Sequence, residues 1–213
     1  MWLARWPGQV KQGAQEAPER GAGKERSMEF MVILGLIVVI GLIIVLIYNR
    51  LVALRQTTRQ AWGDIDVQLK QRHDLVPNLI DTVKGYAKHE KQTLENVVKA
   101  RQQAVDAGSM QDLAQAENML SGALRQLFAL SENYPDLKAN QNFLSLQNEL
   151  ADLENKIAAA RRFFNNAVAE YNTAIEQFPA VLLANSFGFQ AKEFFEVAAS
   201  ERAAVSSPPS VKF

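Results

Sequence analysis

His73 and His89 are the only imidazoles in the chain and the first place to look for chemistry. They stand sixteen residues apart, and no His-Glu-x-x-His string is present. A two-histidine metal centre needs both rings on converging faces with carboxylates beside them. His89 instead opens a new helical segment, so His89-Glu90 reads better as charge at a helix start. Asp64, Asp66 and Asp74 form an acidic group, but Asp66 and Lys70 have the four-residue spacing of an ordinary helix-surface pair. Arg72 is more informative, because it occupies an apolar slot in a helical stripe. A buried guanidinium must be paired, and Glu149 and Glu154 are candidate partners. The competing reading is that the helix turns at Pro77 and leaves Arg72 in solvent.

Cysteine is absent. That excludes disulfides, thiolate metal sites, a cysteine nucleophile and the modified Cys of a lipoprotein anchor. There is no P-loop, dinucleotide fingerprint or serine nucleophile elbow. No catalytic, cofactor-binding or metal-ligating residue is assigned, no cofactor is expected, and the chain is not expected to be an enzyme. Its 23 basic and 23 acidic residues balance and form no dense basic block, so no nucleic-acid footprint is visible. No small-molecule substrate is evident either.

The elements begin with a membrane segment. Residues 30–48 read FMVILGLIVVIGLIIVLIY, without a charge. Nineteen residues at about 1.5 Å rise give roughly 28 Å, close to the hydrocarbon thickness of a bilayer. Tyr48, Asn49 and Arg50 form the interfacial edge. The run is long for a signal peptide and no A-x-A cleavage site follows it. A buried core helix would carry some polar residues.

Residues 1–29 are expected to be a tail, disordered or not native to the protein. Lys24-Glu25-Arg26-Ser27-Met28 could be encoded by a bacterial ribosome-binding site read in frame, which predicts translation from Met28. With the whole sequence, basic residues flank the span almost evenly. With a start at Met28 the basic excess lies after it, favouring a soluble domain in the cytoplasm.

Beyond the span the apolar periodicity is helical. Trp62, Ile65, Leu69, Val76, Leu79, Val83 and Tyr86 mark one stripe, interrupted by Arg72. Pro77 should kink that helix or restart it near Asp74. Asn49–Gln60 holds no proline or glycine, so this helix is read as running directly out of the membrane. A second helix is expected from His89 to Ala107 and a third from Met110 to Asn133. A fourth carries Leu146, Leu150, Leu153, Ile157, Ala160, Phe164, Ala167, Tyr171, Ala174 and Phe178. Its 3.5-residue period implies supercoiled packing. The expected fold is therefore all-α: an N-terminal transmembrane helix over 30–48, then an antiparallel four-helix bundle over 49–197 with long, partly coiled-coil-like helices. Residues 198–213 should be a disordered tail. Phe187, Phe189, Phe194 and Phe195 serve either as a cap on the bundle or as a contact surface.

Several strings carry a resemblance. They include Tyr48-Asn49-Arg50-Leu51-Val52, Ala61-Trp62-Gly63-Asp64-Ile65-Asp66, Arg72-His73-Asp74-Leu75-Val76-Pro77-Asn78-Leu79-Ile80, Tyr134-Pro135-Asp136-Leu137, Arg161-Arg162-Phe163-Phe164-Asn165, Tyr171-Asn172 and Phe187-Gly188-Phe189. Together they closely resemble the LemA family of bacterial membrane proteins. The resemblance implies one membrane helix and a helical bundle, and supplies no reaction. It implies a role near membrane organisation or quality control, since one relative acts in magnetosome membrane formation and family genes often neighbour a membrane metalloprotease gene. It leaves the membrane face open, with the bundle inside the cytoplasm in some relatives and outside in others. The expected function is a membrane-anchored scaffold or adaptor in the bacterial inner membrane, forming homo-oligomers. The alternative is a regulatory or sensor subunit of a membrane protease.

Overall fold

The computed structural model describes residues 22–87 and 89–195. The expectations for residues 1–21 and 196–213, including most of both tails, lie outside the described residues. Six helices occur among the described residues: α1 (Ala22–Tyr86), α2 (Lys91–Val105), α3 (Met110–Ser131), α4 (Pro135–Lys138), α5 (Gln141–Glu176) and α6 (Val181–Ala184). The fold is all-α. The chain divides into two compact units, Met1–Tyr48 and Asn49–Phe213.

In the first unit α1 begins at Ala22, ahead of the expected span. The apolar window of this segment has none of its residues buried, and it is the one helix among the described residues long and apolar enough to cross a membrane. A core helix of a globular domain would be covered by its own protein.

In the second unit α1, α2, α3 and α5 supply two apolar clusters. One gathers Val76, Leu79, Val83, Val97, Leu120, Leu127, Phe143 and Leu150. The other gathers Ala61, Ile65, Leu69, Ala114, Ile157, Phe164, Val168 and Phe195. Local chemistry sets the helix ends. Ser109 accepts the backbone N–H of Asp112 at 3.1 Å and starts α3. Asn140 accepts from Phe143 at 3.0 Å and starts α5. Each satisfies an otherwise orphaned amide of a first turn. Pro135 opens α4 at a position where a missing N–H does no harm.

Two expectations need correction. Of the kink or restart expected at Pro77, the restart near Asp74 does not occur: α1 continues through Pro77 to Tyr86. And Phe178 does not extend the α5 stripe, because α5 ends at Glu176 and Phe178 is 80% exposed. Pro179 disfavours helical backbone at the residue before it, which turns Phe178 out of the stripe.

Candidate functional site

Between the two apolar clusters lies a polar layer. Arg72 follows Leu69 of one cluster and precedes Val76 of the other, three to four residues from each. It is buried at 3% exposure, and Glu117 is buried at 2%. Arg72 Nη1 lies 3.3 Å from Glu117 Oε2 and 3.2 Å from Glu154 Oε2. Its Nη2 donates to Ser121 Oγ at 2.7 Å. The second Glu117 oxygen, Oε1, takes His73 Nε2 at 2.5 Å. One carboxylate thus serves two neighbouring residues of α1, which offsets the cost of burying its charge.

Arg101 completes the layer from α2, donating Nε–H to the His73 carbonyl at 2.7 Å. A proline at position 77 cannot donate to that carbonyl, its ordinary helical partner. The deficit that should have broken α1 is filled by a side chain of a neighbouring helix. All four long helices therefore meet at one level through charged or polar groups. Arg72 is the buried paired residue expected from the stripe, and Glu154 is one of its partners. Glu149, the other named candidate, is exposed. Glu117 and Arg101 are members of the layer that the sequence reading missed. Glu117 had a signal, since it lies four residues after Leu113 and three before Leu120, on the apolar face of α3.

The remaining candidates separate. His89 is exposed in the turn before α2, far in role from His73. Glu90 stands at the N-cap of α2 without capping it through its side chain, and accepts Tyr134 Oη–H at 3.1 Å instead. Asp64, Asp66 and Asp74 are exposed. Among the described residues no group of three or more histidine, aspartate or glutamate side chains converges as a metal site.

A second constellation holds the segment after α6. Asn172 exchanges both of its amide hydrogen bonds with the backbone of Lys192, at 2.8 and 2.9 Å. Asn165 does the same with Phe195, at 3.0 and 2.9 Å. Asn165 and Asn172 are two helical turns apart, roughly 10.5 Å. Lys192 and Phe195 are three extended residues apart, roughly 10 Å. The match lets one helix face act as a ladder for a non-helical strap. The strap brings Phe195 against Trp62, with ring centroids 5.7 Å apart, and under the Arg161 guanidinium at 4.6 Å. Phe189 is held beneath Arg55 at 4.9 Å.

The four phenylalanines split. Phe189 and Phe195 are each 1% exposed and cap the core, whereas Phe187 and Phe194 are 45% and 44% exposed. Gly188 makes the first split possible. Its φ of +72° lets the chain reverse, so that Phe189 N–H reaches the Ala184 carbonyl at 2.9 Å. Lys192 also hydrogen-bonds Thr58 on α1, beside a cleft of about 410 Å³ walled by Trp62, Met110 and Phe164. Burial, with the nearby charges of Arg59 and Arg55, holds the Lys192 amine below its ordinary pKa.

Residues 61–213 match the model of the LemA family. Magnetosome protein MamQ of Magnetospirillum gryphiswaldense is 25% identical over 208 residues, covering 85% of this chain and 76% of that protein. Magnetosome protein MamQ 2 of Paramagnetospirillum magneticum is 23% identical over 209 residues, with the same coverage of 85% and 76%. Protein LemA of Metamycoplasma hominis is 27% identical over 158 residues, covering 72% of this chain and 71% of that protein. With the apolar N-terminal helix, these matches fit a single-pass protein of the bacterial inner membrane. The family model spans well over half of the sequence, and the chain belongs to the LemA family.

Proposed function

We propose that this protein is a membrane-anchored, non-catalytic scaffold or adaptor that assembles with copies of itself and helps organise the bacterial envelope. The observation that carries the reading is where the buried polar chemistry goes. Arg72, His73, Glu117 and Arg101 are all engaged in tying helices together, and the asparagine ladder ties down a strap. Such a unit offers rigid surfaces, and half-exposed aromatic groups such as Phe194 suit protein contact. Two relatives are named as magnetosome proteins, which is consistent with a role in envelope or organelle organisation.

The second unit is proposed to be an antiparallel four-helix bundle over 49–197. The support is its register. Trp62 packs on Phe164 with ring centroids 5.5 Å apart, Arg72 pairs with Glu154, and Tyr86 accepts from Asn140 at 2.9 Å. Each step along α1 is matched by an equal step back along α5. Residues 30–48 are assigned to the span, and the basic residues after it favour a cytoplasmic bundle. A C-terminal alkaline phosphatase fusion tests the face, since strong activity would place the bundle in the periplasm.

Mild-detergent extraction followed by mass measurement of the intact complex tests the function. A scaffold yields a complex dominated by copies of this chain. A complex dominated by a membrane protease would favour the regulatory-subunit reading. A monomer, both in gentle detergent and in lipid, would end the self-assembly proposal.

A further inference from the structure

We propose that the turn after α5 is a second membrane contact, in which Phe178, Val181, Leu182 and Phe187 rest in the lipid interface of the bilayer that the N-terminal helix crosses. Four observations on the helical unit converge. First, this turn is apolar and exposed: Phe178 is 80% and Leu182 68% exposed, with Val181 and Phe187 also open. Second, residues 177–191 contain no Asp, Glu, Lys or Arg. A solvated loop of that length ordinarily carries charge, and a contiguous exposed apolar patch marks an interaction site.

Third, the patch lies at the end of the unit where the chain enters it. The α1–α5 register runs from Tyr86 and Asn140 through Arg72 and Glu154 to Trp62 and Phe164. Continued, it sets Glu176, the last residue of α5, level with Arg50. Arg55 over the Phe189 ring at 4.9 Å fixes the same end independently, since Phe189 closes the turn on Ala184 of α6. Arg50 is two residues along the chain from Tyr48, the last residue of the assigned span. Chain connection alone keeps this end near the bilayer surface.

Fourth, the cations there suit a lipid partner. Arg50 is exposed and Arg55 half-buried at the same end. Arginines beside uncharged aromatic and aliphatic groups complement anionic headgroups over an apolar interior. The occupant is therefore a lipid surface rather than a second copy. The inference stands whether or not the protein self-assembles.

The absence of cysteine makes the test direct. Leu182→Cys and Phe178→Cys, both at exposed positions, give single sites for an environment-sensitive fluorophore on the full chain. Met119→Cys on α3, close to the buried Glu117 in the middle of the unit, serves as control. The protein is reconstituted into phosphatidylcholine–phosphatidylglycerol vesicles, with and without lipids carrying a quencher near the headgroup. Insertion of about 5–10 Å should blue-shift the probes at 182 and 178 and cut their emission about twofold, leaving 119 unchanged. The effect should persist when the protein is diluted in lipid. Absence of quenching at 182 and 178, or equal quenching at 119, overturns the proposal. A blue shift that disappears on dilution would assign the patch to a second copy and overturn it as well.

Discussion

Arg101 donates its Nε–H to the carbonyl of His73 at 2.7 Å, and that carbonyl is the one Pro77 leaves without its helical donor. The proline and the arginine are one device spread over two helices. Arg101→Leu should cost about 1–3 kcal/mol, the range for a buried polar group left unpaired. With Pro77→Ala already in place, the cost should fall, because an alanine at position 77 restores the N–H that the His73 carbonyl lacks. Urea melts of the four proteins in a double-mutant cycle measure the difference. Equal costs in both backgrounds would mean that the two residues act independently.

Arg72 and Glu154 differ in what their removal exposes. Arg72→Met leaves Glu117 as a charge buried at 2% exposure, with only His73 to answer it. Removing one partner of such a pair should cost about 3–5 kcal/mol. The Glu154 side chain is 49% exposed, so Glu154→Ala should cost no more than about 1 kcal/mol. The contrast in denaturation midpoints is the check.

The asparagine ladder predicts a local change before a global one. Asn172→Ala removes both bonds to Lys192 and should cost about 1–3 kcal/mol. Asn165 would still hold Phe195. Limited proteolysis should therefore cut between 185 and 195 in the variant well before it cuts the long helices. A digestion pattern like that of the wild type would show that the strap is held by packing alone.

Gly188 predicts a cost that arises in its own backbone and not in packing against neighbours. A Cβ there would meet nothing within 4 Å, so Gly188→Ala tests only the backbone. A left-handed φ of +72° should make alanine less favourable by about 1–2 kcal/mol. A thermal melt unchanged by the substitution would mean that the turn relaxes to another conformation.

These residues separate what periodicity carries from what it cannot. The all-helical fold, the membrane segment and the burial of Leu150, Leu153, Ile157 and Phe164 are legible because one apolar face repeats at a helical period. The burial of Arg72 is legible by the same logic, as a charge in an apolar slot. Its partner Glu117 is readable from the face of α3, although Glu149 and Glu154 on α5 are the more obvious candidates. Arg101 has no sequence signal, because the need created by Pro77 is local and the donor arrives from 28 residues away. The roles of Asn165 and Asn172 are hidden for a related reason. An amide that bonds a distant backbone looks, in sequence, like any polar residue on a helix.

Phe194 and Phe195 are neighbours that should give opposite results. Phe195 is 1% exposed and packs on Trp62 in the core cluster that also holds Phe164. Phe194 is 44% exposed and belongs to neither cluster. Treating the pair as one unit, by replacing both with serine, would mix two effects. Phe195→Ser should cost about 3–5 kcal/mol, the range for truncating a buried aromatic ring, and should lower the melting temperature. Phe194→Ser should leave stability within about 0.5 kcal/mol, as for a surface change. If Phe194 is a contact between copies, the same variant should shift the mass of the detergent-extracted complex toward the monomer. Both readouts are needed on one preparation. A Phe194→Ser protein that is stable and still fully assembled would move the interface elsewhere on the unit, while a destabilised one would return Phe194 to the core.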